Sequence, residues 1–465
     1  MSAYLVKSLD FRGDSLGIFE LFKNEPRVFF LDSSLHHPGL GRYSFIGFDP
    51  FFVMKGYGPQ DIAVLKKYFS RYQKNARLAP TPFPGGLVGY WSYDLGLKLE
   101  NIKRQTKADL TLPDFVFGFY DTVITIDHLK AKLYITSTGH PEKKESLRKK
   151  RAAQRLAEIH HRLAAHKFPL MRNLAKVRNR APGRALAFTS NFTKQEYIAA
   201  VKRALAYIRE GDIYQVNISQ RFLFDPFPRH FAAAEIYQSL RRQSPSSFTS
   251  YLDCEDFQII SSSPERFLRL RGRRVETRPM KGTRPRVQNP LADQRQYKAL
   301  LVSPKDKAEL LMITDLERSD LGRVCEYGSI RVKKMRAIEK YRTVFQATST
   351  VQGRLRRDKD AFDLLQACFP GGSITGCPKI RAMQIIEELE PQRRGIYTGA
   401  LGYMSFTGDM DLNILIRTML AYRGKIYFNV GGGIVADSIP ENEYAETLVK
   451  ARAMRACLTD ISGRM

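Results

Sequence analysis

Two periodicities divide the chain. Up to about residue 140, VFFLDSS, RYSFIGF, GLVGYWSYD, FVFGFYDTVITID and KLYITST alternate or run apolar, separated by Gly, Pro and Asp. Such short runs bounded by turn residues predict strands, so residues 1–140 read as a strand-rich lobe. Beyond residue 188, FTKQEYIAAVKRALAYIREGD spaces its apolar residues as a helix does and ends at Gly211, before the strand-like IYQVNISQRFLF. FTSYLDC, FQIISSS, RFLRL and GRRVET predict further strands, and helices are predicted over 305–316, 360–368, 379–389 and 441–457. Strands and helices interleave without a regular βαβ period, which predicts an α+β fold rather than a doubly wound sheet. Residues 141–187 read as a basic helical linker to a second lobe, 188–465.

Composition narrows the class. A chain of 465 residues with 43% hydrophobic content can bury a large core. No run approaches the roughly 18 apolar residues of a membrane span, and MSAYLVKSLDFRGD lacks the basic and apolar regions of a secretory signal, so the cytoplasm is the expected compartment. Five scattered cysteines (Cys254, Cys325, Cys368, Cys377, Cys457) without a C-x-x-C argue against a disulfide framework or thiolate zinc site. The net charge of +28 raises the alternative of a basic nucleic-acid-associated protein. Between Pro141 and Arg184, however, fourteen Lys and Arg stand against three Glu, and no nucleic-acid-binding motif accompanies them.

Candidate chemistry lies in the second half. All eight histidines fall at or before His230, so acid and base work there must come from carboxylates, lysine or tyrosine. Lys281 is bracketed by Pro279, Gly282 and Pro285, which would hold its amine at a defined spot as a nucleophile; in isolation such a segment is a turn with a solvated lysine. Glu265 follows Pro264 at the end of an apolar strand, where partial desolvation would raise its pKa toward that of a general acid. Asp306 and Glu309 share a helix face, as do Glu443, Glu446 and Lys450; carboxylates from two helices meeting at one point would suit Mg2+, while singly each set reads as solvated helix charge. Gly431, Gly432 and Gly433 offer backbone N–H groups, and Arg417, flanked by apolar residues, needs an anion. GGSITGCPK fails as a P-loop, since Pro378 intervenes and Ile380 stands where Ser or Thr is required; Thr375 and Gly376 read instead as the start of the helix KIRAMQIIEEL.

Taken in order, GDIYQVNISQRF, SSSPERFL, PMKGTRPR, KDKAELLMITDLERSDLG, FPGGSITGCPKIRAM, YTGALGYMSFTGDMDLNILIRT and GGGIVADSIPENEYAETLVKA resemble the motif series of the chorismate-utilising enzymes over about 188–458, making that lobe the catalytic one. LDSS, GRYSFIG and PFPGGLVGYWSYD resemble more loosely the partner lobe of the amidating members, related to the N-terminal part of anthranilate synthase component I. The resemblance implies a large α/β sandwich of two antiparallel sheets flanked by helices, with Mg2+ and chorismate in a deep central site. Two positions separate branches. Water-adding members carry a lysine base where this chain has Gln215, and alanine is typical of anthranilate synthases in the P-x-A-G-T segment that here reads P-x-K-G-T with Lys281. The resemblance is therefore greatest to the aminodeoxychorismate synthase branch of the folate pathway, with the anthranilate synthase branch as the alternative.

That branch implies roles. Lys281 attacks C2 of chorismate, Glu265 protonates the departing 4-hydroxyl, and ammonia then enters at C4 and expels the lysine. Glu309, Glu443 and Glu446 would hold Mg2+ with Asp306 beside them, and Gly282, Thr283, Tyr397, Arg417, Gly431, Gly432, Gly433 and Lys450 would contact chorismate. A tryptophan pocket maps to Ser33, Leu40, Gly41, Arg42, Tyr43, Ser247, Phe248 and Thr249, although LDSS departs from the LES form of feedback-inhibited relatives. Gln346 stands where many members carry a histidine, which places more of the leaving-group work on Glu265. No G-x-C-x-G glutaminase elbow occurs, so a separate glutaminase subunit is expected to supply ammonia, and a separate lyase to release pyruvate on the way to 4-aminobenzoate.

Overall fold

The computed structural model describes residues 4–35, 39–73, 79–166, 168, 188–225, 232–341 and 344–462. Two sheets, antiparallel at every strand pairing, form its frame, and eleven α-helices flank them among these residues. In the twelve-stranded sheet, Phe29–Asp32 pairs with Phe248–Asp253, which pairs with Phe257–Ser263; Thr418–Tyr422, Lys425–Ile434 and Gln215–Phe224 follow in order. In the ten-stranded sheet, Arg266–Arg271 pairs with Met410–Ile414, then come Ala400–Ser405, Gly86–Trp91, Phe115–Tyr120 and Phe52–Gly56. Each sheet thus takes strands from both 1–140 and 188–465. The sequence division into two lobes does not divide the sheets, because distant strands complete one another's ladders. Among the described residues, no helix is long and apolar enough to cross a membrane.

Of the basic stretch 141–187, Glu145–Ala164 is a helix that packs Ala152, Leu156, Ile159 and Leu163 inward, while Arg151, Arg155 and Arg162 flank that face in ion pairs with Asp121, Asp49 and Glu25. Residues 167 and 169–187 lie outside the described residues. The expected catalytic-lobe helices appear as Lys194–Arg209, Pro304–Gly322, Ala361–Cys368, Lys379–Leu389 and Pro440–Ser462. The first begins in a capping box: Thr193 accepts from the Glu196 backbone N–H, and Glu196 accepts from that of Thr193. The helix Lys379–Leu389 has the predicted bounds, but Thr375 and Gly376 do not form its start. Gly376–Cys377 is instead a short strand paired with Gln215 and Val216, and the Thr375 hydroxyl donates to the Gly371 carbonyl, so neither residue caps the helix.

Candidate active site

Lys281 sits on a strand, not in the turn its bracketing prolines predict. Met280–Pro285 pairs with Val344–Arg354, with Met280 opposite Thr348 and Thr283 opposite Gln346; the register slips in between, leaving Lys281 and Gly282 in a β-bulge. Such a bulge re-aims a side chain, and Gly282 adopts the φ of +79° that this one requires. Pro285 is tolerated because the strand is an edge of its sheet. Gln346 secures the bulge from the neighbouring strand: its amide nitrogen donates to the Gly282 carbonyl, and its amide oxygen accepts from the Thr283 hydroxyl, both at 2.9 Å. Gln346 thus holds the lysine strand.

The amine of Lys281 reaches the glycine triplet of Lys425–Ile434. A Cβ placed on Gly433 would come 3.0 Å from the Lys281 Nζ and 3.2 Å from the Gln215 amide nitrogen; one on Gly432 would come 3.0 Å from the Glu443 carboxylate, and one on Gly431 2.7 Å from the Asn217 side-chain oxygen. Any side chain here would fill the space in which lysine, carboxylates and amides meet. Lys450 closes the end, donating to the Gly431 carbonyl at 2.8 Å and pairing with Glu446 at 2.7 Å.

Burial moves the proton affinities of Lys281 and Glu265 toward each other. Desolvation lowers the lysine pKa, with the Lys450 charge adding to it and Glu309, Glu265 and Glu446 opposing. Desolvation raises that of Glu265 to about 7, with Ser373, Lys281 and the Met280 backbone opposing. Two titratable groups that act on each other electrostatically and are displaced in this way have the proton affinities an acid and nucleophile pair requires. Glu317 lies behind, buried and raised, bonded to the Thr277 hydroxyl at 2.7 Å.

The acidic helices face this centre. Desolvation raises Glu309, with Asp306 and Glu446 adding to it; desolvation also raises Glu443, against a 2.6 Å hydrogen bond from Ser438, with Glu446 adding. Burial likewise pushes Glu446 up, but Lys450, Lys281 and Lys305 outweigh it. Asp306, in the first turn after the Ser303 cap, pairs with Arg284 at 2.8 Å and faces Gly282. Among the described residues, no three His, Cys, Asp or Glu side chains converge closely enough to hold a metal as they stand.

Arg417 has no ion pair among the described residues, burial lowers its pKa, and its backbone is strained at φ +51°. Tyr397 is buried against Arg394, its ring centre 5.8 Å from the guanidinium, and burial raises the pKa of nearby Tyr197, with Glu443, Tyr397 and Glu446 adding. Three participants had no mark in the sequence reading. The Asn217 side-chain oxygen and the whole Gln215 carboxamide are buried with no hydrogen-bond partner among the described residues, and the buried Ser373 hydroxyl faces the Glu265 carboxyl, whose pKa it lowers. Lys305 acts on all three acidic residues, and its place one position before Asp306 was the available signal.

The eight residues mapped to a tryptophan pocket lie elsewhere and do come together. Ser33, Leu40, Gly41, Arg42, Tyr43, Ser247, Phe248 and Thr249 all line one cavity of about 760 Å3 between the sheets.

Comparison with known proteins agrees with this geometry. Residues 27–456 match the chorismate binding enzyme family. Aminodeoxychorismate synthase component 1 of Bacillus subtilis is 37% identical over 90% of this chain and 89% of its own length; anthranilate synthase component 1 of Acetivibrio thermocellus is 38% identical over 94% and 91%. Among solved structures, anthranilate synthase component I of Streptococcus pneumoniae superposes with a TM-score of 0.76 at 32% identity, covering 90% of this chain and 93% of that one. The menaquinone-specific isochorismate synthase of Escherichia coli shares the fold at 18% identity and a TM-score of 0.72, covering 98% and 94%. The sandwich of two antiparallel sheets expected from the motif series is the observed fold, and the nucleic-acid alternative gives way. The chain belongs to the chorismate-binding enzyme family.

Proposed function

We propose that this chain is the aminodeoxychorismate synthase component of a two-protein system, converting chorismate and ammonia into 4-amino-4-deoxychorismate. The observation that carries this reading is Lys281 itself: an amine of lowered proton affinity, on a glycine-bearing bulge, beside a glutamic acid raised to about 7. The neutral amine attacks C2 of chorismate, and the ring electrons shift to expel the 4-hydroxyl. Glu265 gives that oxygen its proton and leaves it as water. Ammonia then adds at C4, the electrons return, and the C2 bond to lysine breaks. Gln215 has no charge to change, so it orients ligand groups but cannot deprotonate water.

Mg2+ fits the donor chemistry, because the Glu446 charge raises the proton affinity of both Glu309 and Glu443 and a hard dication would relieve that repulsion. When bound, the ion supplies a counter-charge for the substrate carboxylate. Glu446, now paired with Lys450, would turn to the ion as one of its three carboxylate holders. Arg417 would take a second carboxylate, and Tyr397, Gly282, Thr283 and the glycine triplet would shape the remainder of the site. The reading includes a separate glutaminase for ammonia and a separate lyase downstream, in the cytoplasm. The 760 Å3 cavity is proposed to take tryptophan or a molecule like it.

The alternative is anthranilate synthase component I, favoured by relatives of that name at similar identity and coverage. Incubation with chorismate, Mg2+ and ammonia, followed by mass spectrometry, separates the two: 4-amino-4-deoxychorismate is expected, and fluorescent anthranilate without a lyase would reverse the assignment. Without ammonia, an adduct is expected on the Lys281 peptide, discharged by ammonia and absent in Lys281→Ala. No adduct, with near-normal turnover of the alanine variant, would reduce Lys281 to an electrostatic contact.

A further inference from the structure

Away from Lys281, the ten-stranded sheet carries an arrangement that folding alone does not favour. Arg271 stands opposite Arg274, and Arg274 opposite Arg354, on three neighbouring strands. Cross-strand partners share a face, so this rung sets three guanidinium groups side by side, and like charges directly opposite one another are destabilising. The adjacent rung shows how the same sheet handles such crowding. There Arg269, Glu276, Gln352 and Arg331 follow one another, and Glu276 pairs with both Arg266 and Arg269 while accepting from the Gln352 amide. The arginine rung contains no carboxylate. Arg354 reaches Glu326 at 3.5 Å, but Arg273 shares that group; Arg274, Arg331 and Lys333 are exposed and have no ion pair among the described residues. These side chains border a concavity of about 540 Å3.

We propose that this concavity is a binding site for a small anion carrying several phosphate groups, separate from the reaction centre. Guanidinium forks match phosphate oxygens in pairs, and a multiply charged anion would supply the counter-charge that the rung lacks. A compact hollow suits a small molecule better than an extended strand of nucleic acid, whose backbone needs a long basic track. The site is distinct from that of Lys281: Gln352 lies six residues beyond Gln346 on the same strand, about 20 Å away at strand rise. The inference does not depend on which reaction the enzyme performs.

Thermal melting of the full chain in inorganic tripolyphosphate, against sodium chloride of equal ionic strength, tests it. The melting temperature should rise saturably with tripolyphosphate alone. R274Q/R331Q should melt at or above wild type without the anion, because like-charge crowding is relieved, and should bind tripolyphosphate at least about tenfold more weakly. Lys333→Gln should shift binding in the same direction by less, and chorismate turnover should be unchanged in both variants. An equal response to chloride, or an equal response in the double variant, would overturn the site. Tighter binding of single-stranded DNA that strengthens with length would replace it with a nucleic-acid face.

Discussion

The reaction centre and the 760 Å3 cavity treat their buried polar groups in opposite ways. Around the cavity the most deeply buried charges are matched. Asp32 accepts from Ser15, Ser44, Tyr237 and Arg241; Arg241 also pairs with Asp14; Arg42 grips Asp127, and Arg266 grips Asp411 through two nitrogens each. Around Lys281, among the described residues, the Gln215 carboxamide and the Asn217 side-chain oxygen have no hydrogen-bond partner, Arg417 has no carboxylate, and Glu446 repels Glu309 and Glu443. A matched wall is rigid and indifferent to what enters, whereas an unmatched one leaves hydrogen bonds and charge that only a ligand can satisfy. Activity should therefore be lost by changes at the centre without loss of fold, and stability by changes at the cavity wall without loss of chemistry.

Glu265→Gln offers the sharpest test at the centre. It keeps the shape and removes the proton, so turnover should fall by roughly 10²–10⁴-fold while the melting temperature holds. In the wild type, the buried acid keeps its proton up to about pH 7, so the rate should decline as pH rises through that value. The lysine gives the opposite limb: its lowered pKa still leaves it protonated in acid, and the rate should rise as it becomes neutral. A Gln variant that retains the alkaline decline would assign that limb to another group.

At the cavity wall, Asp32→Ala should cost about 3–5 kcal/mol of stability, because it leaves Arg241, 2% exposed, as a buried charge without its main partner. Burial pushes the Asp32 carboxyl up, but the Arg241 charge and hydrogen bond pull it below its usual value. Its contribution is thus present at neutral pH and lost on acidification. Urea unfolding measures the loss, and turnover per folded molecule should stay near wild type. A collapse of turnover in the folded fraction would show that the two regions are mechanically one.

Glu309→Gln should sit between these extremes. Removing one oxygen donor should raise the Mg2+ concentration needed for half-maximal turnover by about 10–100-fold, with melting unchanged. Direct metal binding by calorimetry on the unliganded protein provides a readout apart from activity. Wild-type metal dependence would remove Glu309 from the ligand set.

Much of this contrast was legible in sequence, and the rest was not for identifiable reasons. Helices over Pro304–Gly322 and Pro440–Ser462 follow from local periodicity, and they carry Asp306, Glu309, Glu443 and Glu446 wherever they dock. The strand Met280–Pro285 was not legible, since proline and glycine mark a turn locally, and only pairing with Val344–Arg354 makes a bulged edge of it. The helix Pro290–Val302 was missed as well; its buried side is little more than Leu300, too narrow to give a period. The arginine rung depends on register between Arg274 and Arg354, far apart in the chain, which no local pattern encodes. The desolvation of Glu265 was legible because its surroundings, an apolar strand and a proline, lie beside it in the chain.

The smallest expected effect belongs to Gln346, where centre and scaffold meet. Its carboxamide satisfies both the Gly282 carbonyl and the Thr283 hydroxyl and touches no reacting group, so it behaves like the cavity wall although it stands at the centre. Gln346→Leu keeps the bulk and leaves both partners unsatisfied. The bulge should loosen, and turnover should fall about tenfold with little change in KM, since a displaced nucleophile affects the bond-forming step more than substrate affinity. Gln346→His should recover part of the rate, because one ring nitrogen can still donate to the Gly282 carbonyl. Competitive acetylation of Lys281 across pH gives a readout that mere destabilisation would not move: the leucine variant should show a less reactive lysine whose titration shifts back toward that of a solvated amine. A leucine variant with unaltered Lys281 reactivity and wild-type turnover would mean that the bulge is held by its strand pairing alone, and the contrast between a matched wall and an unmatched centre would then extend right up to the nucleophile.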